Sequence, residues 1–282
     1  MSPRNPLNIG AVARAMANFG FSRLTVVAAY HPHWREARSA VGAPELLQNS
    51  KSAETLAEAV AECTFVAGTG TLAHRKAEQP VLALPDVPSI LVPQLDRGGR
   101  IALVFGPEKH GLTRDDLSFC HLLIEIPTDP RQPSMNLGQA VAVSLYELAR
   151  AAPWGDASLR GVPPFPRRKL ERVGHGVPGV EPAGSCGKEG AGTGDSEADL
   201  ETSPIESPAA SSSLDRLAGL IEETMIGAGY SPRAMQPANR HDLRLLLRRL
   251  APSARDTRRM MGLFRRILHR LNKSSTSPHS FL

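Results

Sequence analysis

The sequence predicts an α/β protein with a parallel sheet, followed by a small all-α subdomain at the C-terminus. Up to about residue 152, short apolar runs alternate with segments of helical periodicity, which is typical of successive strand–helix units. From residue 213 onward, apolar residues follow helical spacing alone. Residues 153–212 are rich in Gly, Ser, Pro and acidic residues and have no apolar period. We therefore predict an α/β domain (1–152), a disordered linker (153–212) and a helical extension (213–282).

Four apolar runs are candidates for the strands of the sheet. Each is short and rich in β-branched or large apolar residues, as expected of strands buried on both faces. The runs are 24–29, 64–67, 101–105 and 122–126. A helix before the first run carries apolar residues from Ile9 to Met16 on one face and has a stop signal at Gly20. A second helix, after the last run, has an apolar face from Leu137 to Leu148.

The helical extension is strongly basic. It contains three amphipathic segments, 214–225, 243–250 and 260–271, which predict a small helical bundle. It holds 13 Arg and Lys against 5 Asp and Glu, a balance of +8, whereas the rest of the chain has a balance of −3. This asymmetry favours a polyanionic partner, RNA rather than membrane, over the alternative of a solvated Arg-rich face. The candidate RNA-binding residues are Arg244, Arg248, Arg249, Arg258, Arg259, Arg265 and Arg266.

Cysteine usage and the N-terminus restrict the class of protein. The cysteines Cys63, Cys120 and Cys186 lie far apart and form no CxxC pair, so we expect reduced thiols and neither disulfides nor a metal site. The N-terminus lacks the progression of a signal peptide, and no apolar run approaches the length of a membrane span. These observations predict a soluble cytoplasmic protein.

Three segments beside the ends of strands are candidates for ligand binding, because open α/β sheets place ligands there. They are 5–14, 105–113 and 126–137. Each also has a purely structural explanation. Arg14 can be a surface side chain, Thr113 with Asp116 can form a helix cap, and Ser134 or Asn136 can cap the next helix. The chain has no GxGxxG at a first strand–helix turn and no GKS or GKT motif, which argues against a dinucleotide oxidoreductase or a nucleotide-phosphate enzyme.

Taken together, the motifs NPxNIGxxAR, GxExxGL and IPxxxxxxSxNL resemble those of the SpoU-type RNA ribose 2′-O-methyltransferases of the SPOUT superfamily. The resemblance covers residues 4–150, and the basic helices are similar to the extension of the TrmJ-type tRNA methyltransferases. It implies a sheet with a C-terminal trefoil knot, S-adenosyl-L-methionine as cofactor, a homodimer, and tRNA as substrate at pyrimidine 32 of the anticodon loop. rRNA remains an alternative substrate.

The resemblance also implies roles for individual residues. Arg14 matches the catalytic arginine of the family, with Asn8 and Ser134 orienting it or the ribose. Glu108, Gly111 and Asn136 would shape the knot loop. The implied cofactor-binding residues are Thr69, Gly70, Thr71, Gly106, Ile126, Pro133, Ser134, Met135 and Leu137. Because a guanidinium effectively never deprotonates in proteins, Arg14 is better suited to gripping a phosphate than to acting as a base.

The sequence departs from the family at its start. Family members carry an apolar strand directly before the NPxNIG motif, whereas this sequence begins with Met1-Ser2-Pro3-Arg4. Without that strand, neighbouring strands would lose backbone partners, at a cost of several kcal/mol. We expect either an upstream start or a differently closed sheet with impaired activity. An RNA-binding protein that has lost catalysis is therefore a second hypothesis.

Overall fold

A computed structural model describes residues 1–70, 77–151, 207–232 and 235–275. The described strands form two parallel sheets, one of four strands in the order β4-β6-β3-β5 and one of two strands, β1 and β2. The strands are β1 (Thr25–Val27), β2 (Lys51–Ala53), β3 (Phe65–Thr69), β4 (Val81–Ala83), β5 (Ile101–Val104) and β6 (Leu122–Glu125). The predicted parallel sheet is confirmed, and all four predicted apolar runs contain strands. The predicted knot stays a prediction.

The centre of the main sheet is β3, which pairs with β5 on one side and β6 on the other. In the parallel register, Gly68 of β3 lies opposite both Val104 and Leu123. Val66 and Ala67 are fully buried, as expected of a strand covered on both faces. The carboxyl ends of β5, β3 and β6 therefore lie side by side at one edge of the sheet.

The first two residues of the chain lie between the two sheets. The Met1 ammonium donates a hydrogen bond to the Phe105 carbonyl, at 2.8 Å, just after β5. The Ser2 amide donates to the Val27 carbonyl at the end of β1, also at 2.8 Å. Burial lowers the pKa of the Met1 ammonium. The described chain thus has two sheets where the family resemblance implies one.

The described helices are α1 (Pro6–Asn18), α2 (Pro44–Gln48), α3 (Leu56–Ala59), α4 (Val87–Asp96), α5 (Arg114–Ser118), α6 (Leu137–Ala151), α7 (Ser211–Gly227), α8 (Gln236–Leu250) and α9 (Ala254–Ser275). The two helices predicted beside the sheet, α1 and α6, are confirmed. The Asn5 side chain caps α1 by accepting a hydrogen bond from the Leu7 amide, and Pro6 occupies the first turn. The apolar faces of α1 and α6 pack together through Val12, Met16 and Leu145.

The three helices predicted in the extension are confirmed as α7, α8 and α9. They share a small core in which Leu217 and Leu247 are buried against Met260 and Phe264. The linker prediction falls on residues 153–206, which lie outside the described residues, and on 207–212, where α7 already begins at Ser211. None of the described helices combines the length and the apolar character that crossing a bilayer requires.

Candidate active site at the carboxyl edge of the sheet

Three connections leave the carboxyl ends of the adjacent strands β5, β3 and β6. They contain Gly106, Gly70 and Ile126, respectively, close to the strand ends. The Gly70 amide donates to the Ile124 carbonyl at 3.3 Å, which joins the ends of β3 and β6. Among the described residues other than its chain neighbours, none has a heavy atom within 4 Å of the place where a Gly70 side chain would begin. The described part of the edge therefore leaves space beside backbone groups, as a ligand site requires.

The connection after β5 is folded tightly onto itself. A Cβ at Gly106 would lie 2.4 Å from the Gly111 carbonyl carbon and from the Leu112 amide nitrogen, so only glycine fits there. Gly111 completes the turn with a φ of +64°. Thr113 then forms a capping box with Asp116 at the start of α5, as its spacing predicted.

The connection after β6 leads into α6. The Asn136 side chain accepts a hydrogen bond from the Gly138 amide at 2.9 Å, so Asn136, rather than Ser134, caps the helix. Ser134 is exposed. Ile126, Pro133, Met135 and Leu137 are partly buried and line this connection with apolar surface.

The side chain of Asn8 joins all three predicted motifs through two hydrogen bonds. Asn8, in the first turn of α1, donates a hydrogen bond from its side-chain amide to the Glu108 carboxylate. Its side-chain oxygen accepts a hydrogen bond from the side-chain amide of Asn136 at 3.4 Å. Glu108 and Asn136 therefore both contact Asn8, although they lie 100 and 128 positions from it in the sequence. Both ends of the Asn8 side-chain amide are therefore already engaged by protein groups.

Arg14 lies on the exposed side of α1. Among the described residues it makes no hydrogen bond or ion pair, and its guanidinium is therefore available to a ligand. Thr69 differs, because its buried hydroxyl donates to the Val104 carbonyl at 3.1 Å and ties β3 to β5. Thr71, also predicted to bind the cofactor, lies outside the described residues.

Two of the predicted RNA-binding arginines are engaged by protein groups, with Arg248 buried and Arg244 partly buried. The Arg248 side chain is only 1% exposed. It donates to the Phe119 carbonyl at 2.8 Å, to Ser211 at 3.0 Å and to Asp215 at 3.1 Å. Arg244 pairs with Asp115 at 2.9 Å and lies over the Phe119 ring. The prediction that Arg248 contacts RNA is wrong, since its guanidinium docks α8 on α5, and Arg244 is largely committed to the same task.

The remaining arginines of that set are exposed. Arg249 follows the buried Arg248 directly, at the end of α8. The others lie along α9, where Arg258, Arg259 and Arg266 border an open groove of about 410 Å³ together with Leu263. Arg265 is exposed on the same helix. These positions leave a basic face on α9 accessible to a large anionic partner.

Several contacts at the junction of α5 and α8 were missed by sequence reasoning. Glu78, which precedes β4, pairs with Arg114 at 2.9 Å and with the buried His241 at 2.8 Å. Hydrogen bonding to His241, aided by Arg114, holds the pKa of the Glu78 carboxyl below its ordinary value. No sequence motif signals this contact, since its partners are separated by up to 163 positions.

A cavity of about 260 Å³ adjoins this junction and is lined by Glu78, Cys120, His121, Asp242 and Arg248. Burial raises the pKa of Cys120 to about 12 and lowers that of His121 to about 3, so both are neutral near pH 7. Glu78, His241 and Asp242 bring three potential metal ligands within 4.8 Å. Both Glu78 oxygens are already hydrogen-bonded, one to Arg114 and one to His241, which disfavours a cation there.

The geometry agrees with a comparison to known families. A sequence profile of the SpoU rRNA Methylase family matches residues 1–146. The chain belongs to this family. The matched region of this SpoU protein contains both sheets, the three connections and the cluster around Asn8.

Individual relatives carry related names. A Pseudomonas aeruginosa tRNA (cytidine/uridine/adenosine-2′-O-)-methyltransferase TrmJ is 38% identical over 148 residues, which is 52% of this chain and 57% of that protein. The chain therefore spans little more than half the length of this relative. A Pectobacterium atrosepticum tRNA (cytidine/uridine-2′-O-)-methyltransferase TrmJ is 28% identical over 268 residues, which is 95% of this chain and 92% of that protein.

A solved structure extends the likeness to the helical extension. The crystal structure of TrmJ from Z. mobilis ZM4 has a TM-score of 0.69 and 26% identity to this SpoU protein. The match covers 94% of this chain and 96% of that one. The similarity therefore includes both the α/β domain and helices of the extension.

Proposed function

We propose that this SpoU protein transfers a methyl group from S-adenosylmethionine to a ribose 2′-hydroxyl of tRNA. The observation that carries the proposal is the convergence of α1, the β5 connection and the start of α6 on Asn8, with Arg14 unengaged on the same helix. Family membership and the names of the relatives support the reaction and the substrate class.

The carboxyl edge fits S-adenosylmethionine on structural grounds. The described residues leave space at Gly70, and partly buried apolar residues line the β6 connection, among them Ile126 and Met135. Backbone groups of the Gly70, Gly106 and Pro133–Leu137 segments would hold the adenine and ribose. The sulfonium of the cofactor supplies an electrophilic methyl group, so the protein needs mainly to position the acceptor. The trefoil knot typical of SPOUT proteins would form from the connections after β5 and β6.

Arg14 would act on the RNA rather than on the cofactor. A guanidinium keeps its proton in proteins, so it cannot serve as a general base. It can hold a phosphate beside the reacting ribose with two parallel hydrogen bonds and stabilise negative charge that develops on the 2′-oxygen. Asn8, Glu108 and Asn136 would fix the start of α1 and therefore the direction in which Arg14 points.

Pyrimidine 32 of the anticodon loop is the proposed target, in a homodimer that shares the site between subunits. The exposed arginines of α9 and Arg249 would bind the tRNA backbone, with affinity that falls as salt rises. A cytoplasmic location is consistent with a tRNA substrate.

The decisive test measures transfer of tritiated methyl groups to unmodified total tRNA, followed by mapping of the ribose-methylated position. Arg14→Ala is expected to lower kcat by about 100- to 1000-fold, as for loss of one transition-state donor, with unchanged cofactor affinity. Arg23→Ala is the matched control, because Arg23 is also exposed and lacks a partner among the described residues. Near-normal transfer by Arg14→Ala would falsify the assignment.

A second candidate, an RNA-binding protein without transfer activity, is favoured by the split between the two sheets. Calorimetry with S-adenosylmethionine distinguishes the two proposals, because this candidate predicts no heat of binding. Methylation of rRNA in place of tRNA is separated by offering both RNAs in the same transfer assay.

A further inference from the structure

Glu78, which precedes β4, contacts both the start of α5 and helix α8 of the helical extension. One carboxylate oxygen accepts a hydrogen bond from Nε of Arg114 at 3.1 Å and forms an ion pair with Nη2 of the same guanidinium at 2.9 Å. The other lies 2.8 Å from Nε2 of His241 in α8. A single side chain therefore ties α5, the β3–β4 connection and α8 together.

Arg114 is the first residue of α5 and follows the Gly106–Thr113 connection directly. That connection is closed tightly at Gly106. A shift of Arg114 at its end would therefore be transmitted to the backbone of the connection. Glu78 therefore contacts the residue that directly follows the β5 connection.

Neighbouring contacts strengthen the same junction. Gln79 donates to the Leu117 carbonyl of α5 at 2.6 Å. Arg244 of α8 donates to Asp115 at 2.9 Å, one residue after Arg114. The first turn of α5 is therefore contacted both by Arg244 of the extension and by Glu78.

We infer that Glu78 is a positioning residue through which the helical extension orders the cofactor-binding connection after β5. The inference rests on the proposed function, and it assigns part of the cofactor affinity to contacts made by α8. It replaces a simple division of labour in which the α/β domain alone binds the cofactor and the extension alone binds tRNA. Thermodynamic linkage requires the coupling between the extension and the cofactor to be reciprocal. Cofactor binding should therefore also stabilise the position of α8.

The test compares Glu78→Gln and His241→Ala with wild type in the full chain. We expect each variant to raise the KM for S-adenosylmethionine by about fivefold, at the lower end of typical coupling factors. The kcat at saturating cofactor and the KM for tRNA should stay within about twofold of wild type, since neither residue lies at the carboxyl edge or on α9. Glu62→Gln is the matched control, because it removes the charge of an exposed ion pair with Arg100 that involves neither Glu78 nor α5 nor α8.

Each outcome decides the question. If the variants lose thermal stability and active fraction, with lower kcat and an unchanged cofactor KM, Glu78 is merely structural and the inference is wrong. If wild-type protein neither binds nor uses the cofactor, the proposed function fails and this inference fails with it.

A cofactor-free measurement provides an independent check. Amide hydrogen exchange in residues 105–113 should be faster in Glu78→Gln than in Glu62→Gln, because the bridge no longer restrains the start of α5. Equal exchange rates in the two variants would overturn the inference.

Discussion

Replacing Arg248 with Met should destabilise the protein strongly, whereas replacing the next residue should not. The Arg248 guanidinium is buried and donates to Phe119, Ser211 and Asp215. Met can occupy most of the apolar volume, but it leaves the Phe119 carbonyl and the Asp215 carboxylate without this partner. Removing one member of a buried pair typically costs about 3–5 kcal/mol.

The structure places the expected cost at the lower end of that range. The Asp215 side chain remains 21% exposed, and Arg244 lies 3.8 Å from it, so the remaining charge is partly solvated and partly paired. We expect the free energy of unfolding to fall by about 3 kcal/mol. For a domain of this size, this loss corresponds to a decrease in Tm of about 6–12 °C.

Differential scanning calorimetry of the full chain measures this effect, with Arg249→Met as control. Arg249 is exposed, so its replacement should change the free energy of unfolding by less than about 0.5 kcal/mol. The double variant Arg248→Met/Asp215→Leu should recover part of the loss, since it no longer leaves a carboxylate without its partner. Equal Tm values for the two single variants would refute the argument that Arg248 docks α8.

Three further predictions concern the cofactor, RNA and pH. Gly106→Ala should weaken S-adenosylmethionine binding by at least about tenfold in calorimetry, because a Cβ would overlap the backbone of Gly111 and Leu112; Gly219→Ala, in open space on α7, is the control and should bind normally. Replacing Arg258, Arg259, Arg265 and Arg266 with Ser should flatten the dependence of log Kd for tRNA on log salt by up to about 0.9 for each phosphate that is no longer neutralised, and an unchanged slope would exclude this face of α9. Since the pKa of His121 falls from 6.5 to about 3 on folding, its contribution to stability is fully present above pH 6.5 and is lost as pH decreases toward 3. Between those values the wild type should lose up to about 1.4 kcal/mol more per pH unit than His121→Gln in denaturant titrations, and parallel pH profiles would contradict the assignment.

The sequence by itself determined the elements with strong local signals. The runs that became β1, β3, β5 and β6 are apolar enough to be recognised as buried strands, and the helices α1, α6 and α7–α9 have clear amphipathic periods. The capping box at Thr113 could also be predicted, because it depends on residues three positions apart. The family resemblance of the motifs implied functional roles for Asn8, Glu108 and Asn136, and the structure brings these three side chains into contact.

Weak or distant signals were not predictable in the same way. The strands β2 and β4 have only three residues each, too few to show a period. Arg244, Arg248 and Arg249 belong to the same run of arginines, and nothing in the sequence shows that Arg248 is buried, Arg244 partly buried and Arg249 exposed. Only packing of α8 against α5 decides that Arg248 faces Phe119 and Asp215.

The physical reason for this difference is the range of the interactions. Hydrophobic periodicity, turns and caps act over a few residues and are therefore written in the local sequence. The partners of Glu78 are 36 and 163 positions away, so their meeting depends on how the sheet and the extension pack. Which charged groups face solvent and which hold the fold together was decided by the tertiary structure alone.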